Sequence, residues 1–239
     1  HTTGAGYYEQ YRENDKLSDY GIESIYLNAP FYLIGNDTIQ APDSTISHSD
    51  LIRQKHLANT FSGLTWSLNY HTAKLQTSIG GSWNTYDGNH FGRVIWSQFT
   101  GNSEINHEWY RSKASKTDFN IYAKAEYLLA ANLHAWADLQ YRRIYYSIDG
   151  VDDDQRDITQ QHTFNFFNPK AGISYDLNTI QNIYFSVSVA NREPNRDNFV
   201  DADPTKPTPT PERLYDAEAG YTYNNSHVSL SANAYYMYY

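Results

Sequence analysis

The chain has 239 residues, 40% of them apolar and 19% charged, and a formal net charge of −9. That acidic balance argues against a nucleic-acid partner, which needs a basic face. The absence of cysteine excludes a disulfide framework, a thiolate metal site and a cysteine nucleophile. Tyrosine, at 23 residues, is the compositional outlier, and beside abundant Asn, Ser and Thr it favours strands over helices.

In chain order, the first predicted strand is Gly6–Arg12. Four pairs follow: Leu57–Tyr70 with Leu75–Tyr86, Thr117–Tyr127 with Leu133–Tyr146, Phe166–Tyr175 with Ile183–Ala190, and Leu214–Tyr223 with Val228–Tyr239. Within the pairs the connections are short: "HTAK", "LLAAN", "DLNTIQN" and "NNSH". The long polar connections are Glu13–His56, Asp87–Lys116, Ser147–Asn165 and Asn191–Arg213. Short turns at one end of the sheet and long loops at the other are the habit of outer-membrane barrels, and a Greek-key sandwich has no reason to sort its loops this way.

The strands alternate. Leu64, Trp66, Leu68 and Tyr70 fall on one face, with Thr65, Ser67 and Asn69 on the other. Phe119, Ile121, Ala123 and Ala125 oppose Asp118, Asn120, Lys124 and Glu126, while Leu133, Ala135, Ala137, Leu139 and Tyr141 oppose His134, Trp136, Asp138, Gln140 and Arg142. Later, Lys170, Asp216 and Glu218 keep to the hydrophilic side, and only Arg143, near a long-loop end, departs from the rule. An Arg or Lys facing lipid at midplane costs ~2–4 kcal/mol, enough to enforce such segregation. Tyr70, Tyr127, Tyr175 and Tyr223 each precede a short turn on the apolar face, as an interfacial girdle would. No run of ~18 apolar residues exists to make a spanning helix.

The expected fold is therefore all-β, an antiparallel up-and-down meander forming an arc of a large transmembrane β-barrel. Nine strands are an odd count where a single-chain bacterial barrel closes on an even one. The chain opens on "HTTGAGYYEQY" and stops at "NAYYMYY", as a piece of something longer would, with targeting signals upstream.

Two kinds of stretch carry a family resemblance. "VANREPNRDNFVDADPTKPTPTPERLYDAEAGY" resembles the barrel segment of TonB-dependent outer-membrane receptors, in which a Pro-Glu loop, here Pro211 and Glu212, leads into a strand bearing Glu-x-Gly, here Glu218 and Gly220. "GYYEQYRENDKLSDYGI", "SDLIRQKHLANTFSG", "NTYDGNHFGRVIWSQF", "KTDFNIYAKAEY", "FNFFNPKAGISYDLN" and "NAYYMYY" are similar, in consistent order, to strand and loop signatures of one receptor subgroup. The resemblance implies a barrel of about 22 strands, with residues 1–239 as part of it, plugged by its own N-terminal domain and driven through TonB. It implies a Gram-negative outer-membrane location in contact with lipid. The cargo would be a scarce nutrient complex, a ferric siderophore first, haem next and cobalamin third. A passive or adhesive barrel without a plug, and a soluble β-sandwich binding carbohydrate, are the alternatives.

Ligand capture belongs to loops on a rigid scaffold. The candidates are Tyr86, His90, Trp96 and Trp109 in "YDGNHFGRVIWSQFTGNSEINHEWYRS", which also holds Phe91, His107 and Tyr110, and Arg192 and Arg196 in "NREPNRD". Aromatic rings suit a planar or sugar-like ligand, and Arg suits a carboxylate or phosphate. Against these stand an internally packed loop hairpin or membrane-edge anchors for the aromatics and a salt-bridged loop base for the arginines. His90 and His107 lack metal-site spacing. "DDDQRD" lacks the glycine and terminal glutamate of an EF-hand loop and reads as a solvated acidic loop. The hydrophilic-side charges Asp118, Lys124, Glu126, Asp138, Arg142, Lys170, Asp216 and Glu218 are suited to a cross-strand network that holds a plug. No nucleophile with an oriented base, no G-x-S-x-G and no Gly-rich phosphate loop is present, so neither catalysis nor a cofactor is expected.

Overall fold

Strict apolar–polar alternation without helix-period spacing leaves the backbone an extended ladder as its way of sorting side chains. The computed structural model describes residues 1–40, 42–202 and 208–239. Among them the strands are β1 (Thr2–Lys16), β2 (Ile25–Leu27), β3 (Phe31–Ile34), β4 (Asp37–Gln40), β5 (Ser44–Ile46), β6 (His48–His71), β7 (Leu75–Ser97), β8 (His107–Ala130), β9 (Leu133–Gly150), β10 (Gln160–Asn178), β11 (Gln181–Arg192), β12 (Glu212–Asn224) and β13 (Ser229–Tyr238). Nine of them form one sheet in the order β1-β6-β7-β8-β9-β10-β11-β12-β13. The four short strands pair among themselves, β2 with β5 and β3 with β4. The fold is the expected all-β antiparallel meander.

The strands outrun the apolar alternation that announces them. β6, β7 and β8 have 24, 23 and 24 residues, more than twice the ~9–11 that a tilted crossing needs. The Asp87–Lys116 segment, expected to be a loop, is mostly strand, with only residues 98–106 between β7 and β8. Ser147–Asn165 likewise yields its ends to β9 and β10, and Glu13–His56 yields its ends to β1 and β6. Backbone pairing continues where both faces turn polar, and there the hydrophobic period falls silent. Asn191–Arg213 keeps its irregular character. It carries one helical turn, α1 (Arg196–Val200), which starts on a reciprocal cap between Asn195 and Asn198. Its residues 203–207 lie outside the described residues.

The short connections are as tight as expected, covering 72–74, 131–132, 179–180 and 225–228. Their polar side chains hold them: the Thr72 hydroxyl accepts the Leu75 N–H at 3.0 Å, and the Asn225 side-chain oxygen accepts that of Val228 at 2.7 Å.

The chain divides into two compact units. The first comprises His1–Ser62, Tyr86–Lys116 and Tyr146–Gln161. It has an apolar core of Leu17, Tyr20, Ile22, Leu51, Val94, Trp109 and Tyr110, with Val151 packed against it. A single 3-10 turn, Leu17–Tyr20, feeds two of these residues inward and ends at Gly21, whose φ of 64° is a left-handed conformation that favours glycine. Gly92 lies beneath the same core, where a Cβ would run into the rings of Trp109 and Tyr110.

The second unit comprises Gly63–Thr85, Thr117–Tyr145 and His162–Tyr239. Its apolar side is uncovered: Leu64, Phe119, Ile121 and Leu139 are 65%, 40%, 40% and 47% exposed. The register lines apolar residues into rows across the strands, Ile173 to Phe185 to Ala219 to Ala234, and Tyr175 to Ile183 to Tyr221 to Ala232. The alternate row runs Ser174 to Tyr184 to Gly220 to Asn233. It also explains the Glu-x-Gly pattern of β12. The Tyr184 ring lies where a Cβ on Gly220 would be, and its hydroxyl donates to Glu218 at 2.5 Å. Glycine makes room for the ring, and the glutamate holds its tip.

Candidate functional site

On the hydrophilic side of the second unit, charges sit close enough across neighbouring strands to pair. Arg142 is the hub. Its guanidinium forks onto Asp118 at 2.6–3.1 Å and onto Glu193 at 3.0 and 3.2 Å. Both lobes use the fixed geometry that lysine lacks. Lys124 meets Asp138 at 3.4 Å, and the His134 ring lies between Glu126 at 3.2 Å and Asp176 at 3.6 Å. The Lys170 ammonium sits 5.4 Å over the Trp136 ring, and Asn233 adds a 3.0 Å hydrogen bond to Glu218. One Asp216 carboxylate oxygen is buried without a hydrogen-bond partner.

The first unit holds a polar pocket of about 470 Å³ lined by Arg12, Asp15, Ser18, Asp19, Tyr20, Arg53, Trp109, Asp153, Asp154 and Gln155. Four segments build it: the end of β1, the Leu17–Tyr20 turn, facing positions of β6 and β8, and the connection after β9. The register sets Gln10 opposite Arg53, so the Arg53 guanidinium donates to the Gln10 side-chain oxygen Oε1 at 2.9 and 3.2 Å. Arg53 also donates to the Tyr20 hydroxyl at 3.2 Å. Tyr20 donates in turn to Asp15 at 2.6 Å, and Arg12 forks onto the same carboxylate at 2.8 and 3.2 Å. Lys55 pairs with Asp153, and the Trp109 indole N–H donates to the Asp153 carbonyl at 3.3 Å. His107 hydrogen-bonds the Tyr20 carbonyl at 2.7 Å, tying β8 to the turn.

The same contacts shift the ionisation equilibria. Burial pushes the Tyr20 phenol up to about 12, and the hydrogen bond to Asp15 adds to this, with Arg53 opposing. Burial alone would raise Asp15, but the hydrogen bonds from Arg12 and Tyr20 and the Arg12 charge hold it below the usual carboxylate range. The folded pKa of Tyr20 lies above its ordinary value near 10, so its contribution to stability is complete below pH ~10 and is lost as pH rises towards 12. Asp15 contributes above its ordinary range and loses that contribution as pH falls through its lowered pKa. A 295 nm difference titration of the protein against Tyr20→Phe is expected to isolate one phenol titrating near pH 12. A difference signal centred near pH 10 would contradict this geometry.

The expected site residues are dispersed. Trp109 lines the pocket and is 6% exposed. Tyr86 is in β7 and donates to the Asn59 side chain at 2.8 Å. His90, also in β7, is half-buried, and Trp96 is 48% exposed near the strand's end. Phe91 is enclosed by a stacked His56 at 4.6 Å and by the guanidiniums of Arg111 and Arg93 at 4.4 and 5.0 Å. Arg192 is exposed, with Glu212 at 3.9 Å, and Arg196 sits in α1. The acidic run is exposed from Asp153 to Asp157, as a solvated loop would be, with Asp152 alone buried. Asp152 is 5% exposed and folds the loop onto itself by accepting the N–H groups of Asp154 and Arg156 and the Arg156 side chain. Among the described residues, no group of three or more His, Asp or Glu could hold a metal ion.

Arg12, Asp15, Tyr20 and Arg53 were not singled out by sequence reasoning, and Asp153 only as part of "DDDQRD". Arg12, Asp15 and Tyr20 lie within nine residues of one another, and the pairing of β1 with β6 brings Arg53 to them.

A family model described as TonB dependent receptor-like, beta-barrel, matches residues 1–239. No curated protein matches the chain. Among solved structures, the chain is similar to the copper transporter OprC, with a TM-score of 0.58 and 11% identity over 78% of this chain and 31% of that one. It is similar to the FrpB iron transporter from Neisseria meningitidis (F5-1 variant), with a TM-score of 0.52 and 16% identity over 80% and 33% of the two chains. It is also similar to the ferric-catecholate import receptor Fiu from K12 E. coli in its closed form, with a TM-score of 0.52 and 12% identity over 96% and 36%. The chain thus spans about a third of the length of the structures it matches.

Proposed function

Because the chain belongs to the TonB-dependent receptor-like β-barrel family, we propose that residues 1–239 are part of the barrel wall of an outer-membrane receptor that imports a scarce nutrient complex. The family is one of transporters and receptors rather than enzymes. A ferric siderophore is the first cargo, haem the second and cobalamin the third. The iron and ferric-catecholate transporters among the similar structures support an iron complex as first choice, and the copper transporter widens the range.

One observation carries the reading. The sheet of the second unit leaves its large apolar side chains uncovered and pairs its charges on the other side. In water such a face would aggregate, whereas in a bilayer it is solvated by acyl chains. The charged side then borders the lumen, where Arg142, Lys124 and Glu218 are placed to meet the receptor's own plug domain, through which TonB acts. Tyr86, His90 and Trp96 of β7, Trp109 of β8, Arg192 at the end of β11 and Arg196 of α1 contribute to capture.

A strain deleted for the gene, grown under iron limitation on a panel of ferric siderophores, haem and cobalamin, tests the proposal. Growth is expected to fail on one iron source and to return with the intact gene but not in a strain lacking TonB. Unchanged growth on every source, or rescue independent of TonB, would favour a passive or adhesive barrel.

A further inference from the structure

The pocket of the first unit has a marked imbalance between donors and acceptors. Its lining carries four carboxylates, Asp15, Asp19, Asp153 and Asp154, against the guanidiniums of Arg12 and Arg53. Both guanidiniums are committed. Arg12 is forked onto Asp15, and Arg53 holds the Gln10 side-chain oxygen and the Tyr20 hydroxyl. Lys55 is engaged by Asp153. The carboxylates are less fully occupied. Asp154 is 73% exposed, with Arg156 no closer than 3.6 Å, and that arginine is held at 2.7 Å by Asp152. The Asp19 carboxylate meets a long, 3.5 Å contact from the Ser18 hydroxyl, while its backbone carbonyl accepts from Gln155 at 3.4 Å.

An incoming anion would meet guanidiniums already engaged by protein acceptors and would approach surplus negative charge in a concave site, where fields are focused. A ligand that brings hydroxyl, amide or ammonium donors finds open carboxylate oxygens. Resting on the receptor reading above, we infer that this pocket takes the donor-rich, uncharged or cationic face of the nutrient complex and turns polyanionic chelates away. For ferric chelates the distinction is chemical. Three catecholates each bring two negative charges to iron(III) and leave a trianion. Three hydroxamates bring one each and leave a neutral complex, or a cation when an ammonium is attached. The volume of about 470 Å³ accommodates one face of such a complex.

The test uses the full-length receptor in detergent, titrated with iron(III) desferrioxamine B, a tris-hydroxamate bearing an ammonium, and with iron(III) enterobactin, a tris-catecholate. Tryptophan fluorescence reports binding, at low and at high salt. The hydroxamate complex is expected to bind at least roughly tenfold more tightly, with the gap narrowing at high salt as screening shortens the reach of the carboxylates. Asp19→Asn with Asp154→Asn is expected to narrow it as well, since both side chains are placed to meet ligand rather than core. Asp154→Lys is expected to improve binding of the trianion. Equal or tighter binding of the trianion, or a gap that neither the substitutions nor salt alters, would overturn the inference and leave the receptor reading standing. Binding of neither chelate would overturn the ferric-siderophore reading together with it.

Discussion

Ile121→Arg is expected to destabilise the receptor in lipid vesicles by about 2–4 kcal/mol, whereas Asn120→Arg, one residue away, is expected to cost about 1 kcal/mol or less. Ile121 is 40% exposed on the apolar side of β8, six residues from the girdle position Tyr127. Six residues of strand rise ~20 Å, and a tilt of ~35–45° brings that to near the middle of a ~25 Å apolar band. Asn120 points the other way and donates to the Ser82 hydroxyl at 2.5 Å. An arginine there loses that bond but keeps water. Denaturant unfolding in vesicles measures both. Equal costs for the two variants would mean that lipid does not lie on the Ile121 side.

Arg142→Met is expected to be the most damaging change on the hydrophilic side, at about 2–3 kcal/mol. Removing one partner of a fully buried ion pair costs ~3–5 kcal/mol because a charge is left behind. Here the three side chains are 26%, 20% and 14% exposed, so water recovers part of that. The arginine neutralises two carboxylates, and Glu193 sits at the root of the connection from β11 to β12. Its loss is therefore expected to speed protease cleavage in that connection. Adding Asp118→Asn and Glu193→Gln to Arg142→Met is expected to restore most of the stability, which separates orphaned charge from lost packing. Lys124→Met is the control. Its side chain is 58% exposed with Asp138 at 3.4 Å, an arrangement worth under ~1 kcal/mol.

Legibility in the sequence followed the solvent. Leu64, Trp66, Phe119 and Ile121 announce their side because a strand crossing hydrocarbon must sort residues with a period of two, and no other pressure competes. Beyond the crossing both faces meet water or loop, the period fades, and β7 runs from Tyr86 to Ser97 without any sign that separates it from a polar loop. Glu218 and Gly220 were legible as a pattern but not as a cause. The cause lies on another strand, in Tyr184. The pocket was the least legible. Trp109 stood out as an aromatic, but Arg53 and Asp153 are 100 positions apart by number and belong to no motif. Of the two open readings of "NREPNRD", the structural one finds direct support in the Glu193 contact to Arg142 and the Asn195 cap.

The direct test of the whole account is a nitroxide scan along Thr117–Tyr127 in the full-length receptor, reconstituted in bilayers. Residues 1–239 contain no cysteine, so a label engineered there competes with none in this stretch, and any cysteine elsewhere in the receptor is replaced first. Oil-loving side chains bathed by acyl tails predict collision maxima with oxygen at Phe119, Ile121, Ala123 and Ala125, and maxima with a water-soluble nickel chelate at Asn120, Tyr122 and Lys124. A scan with the two sets exchanged, or with no two-residue rhythm, would contradict it.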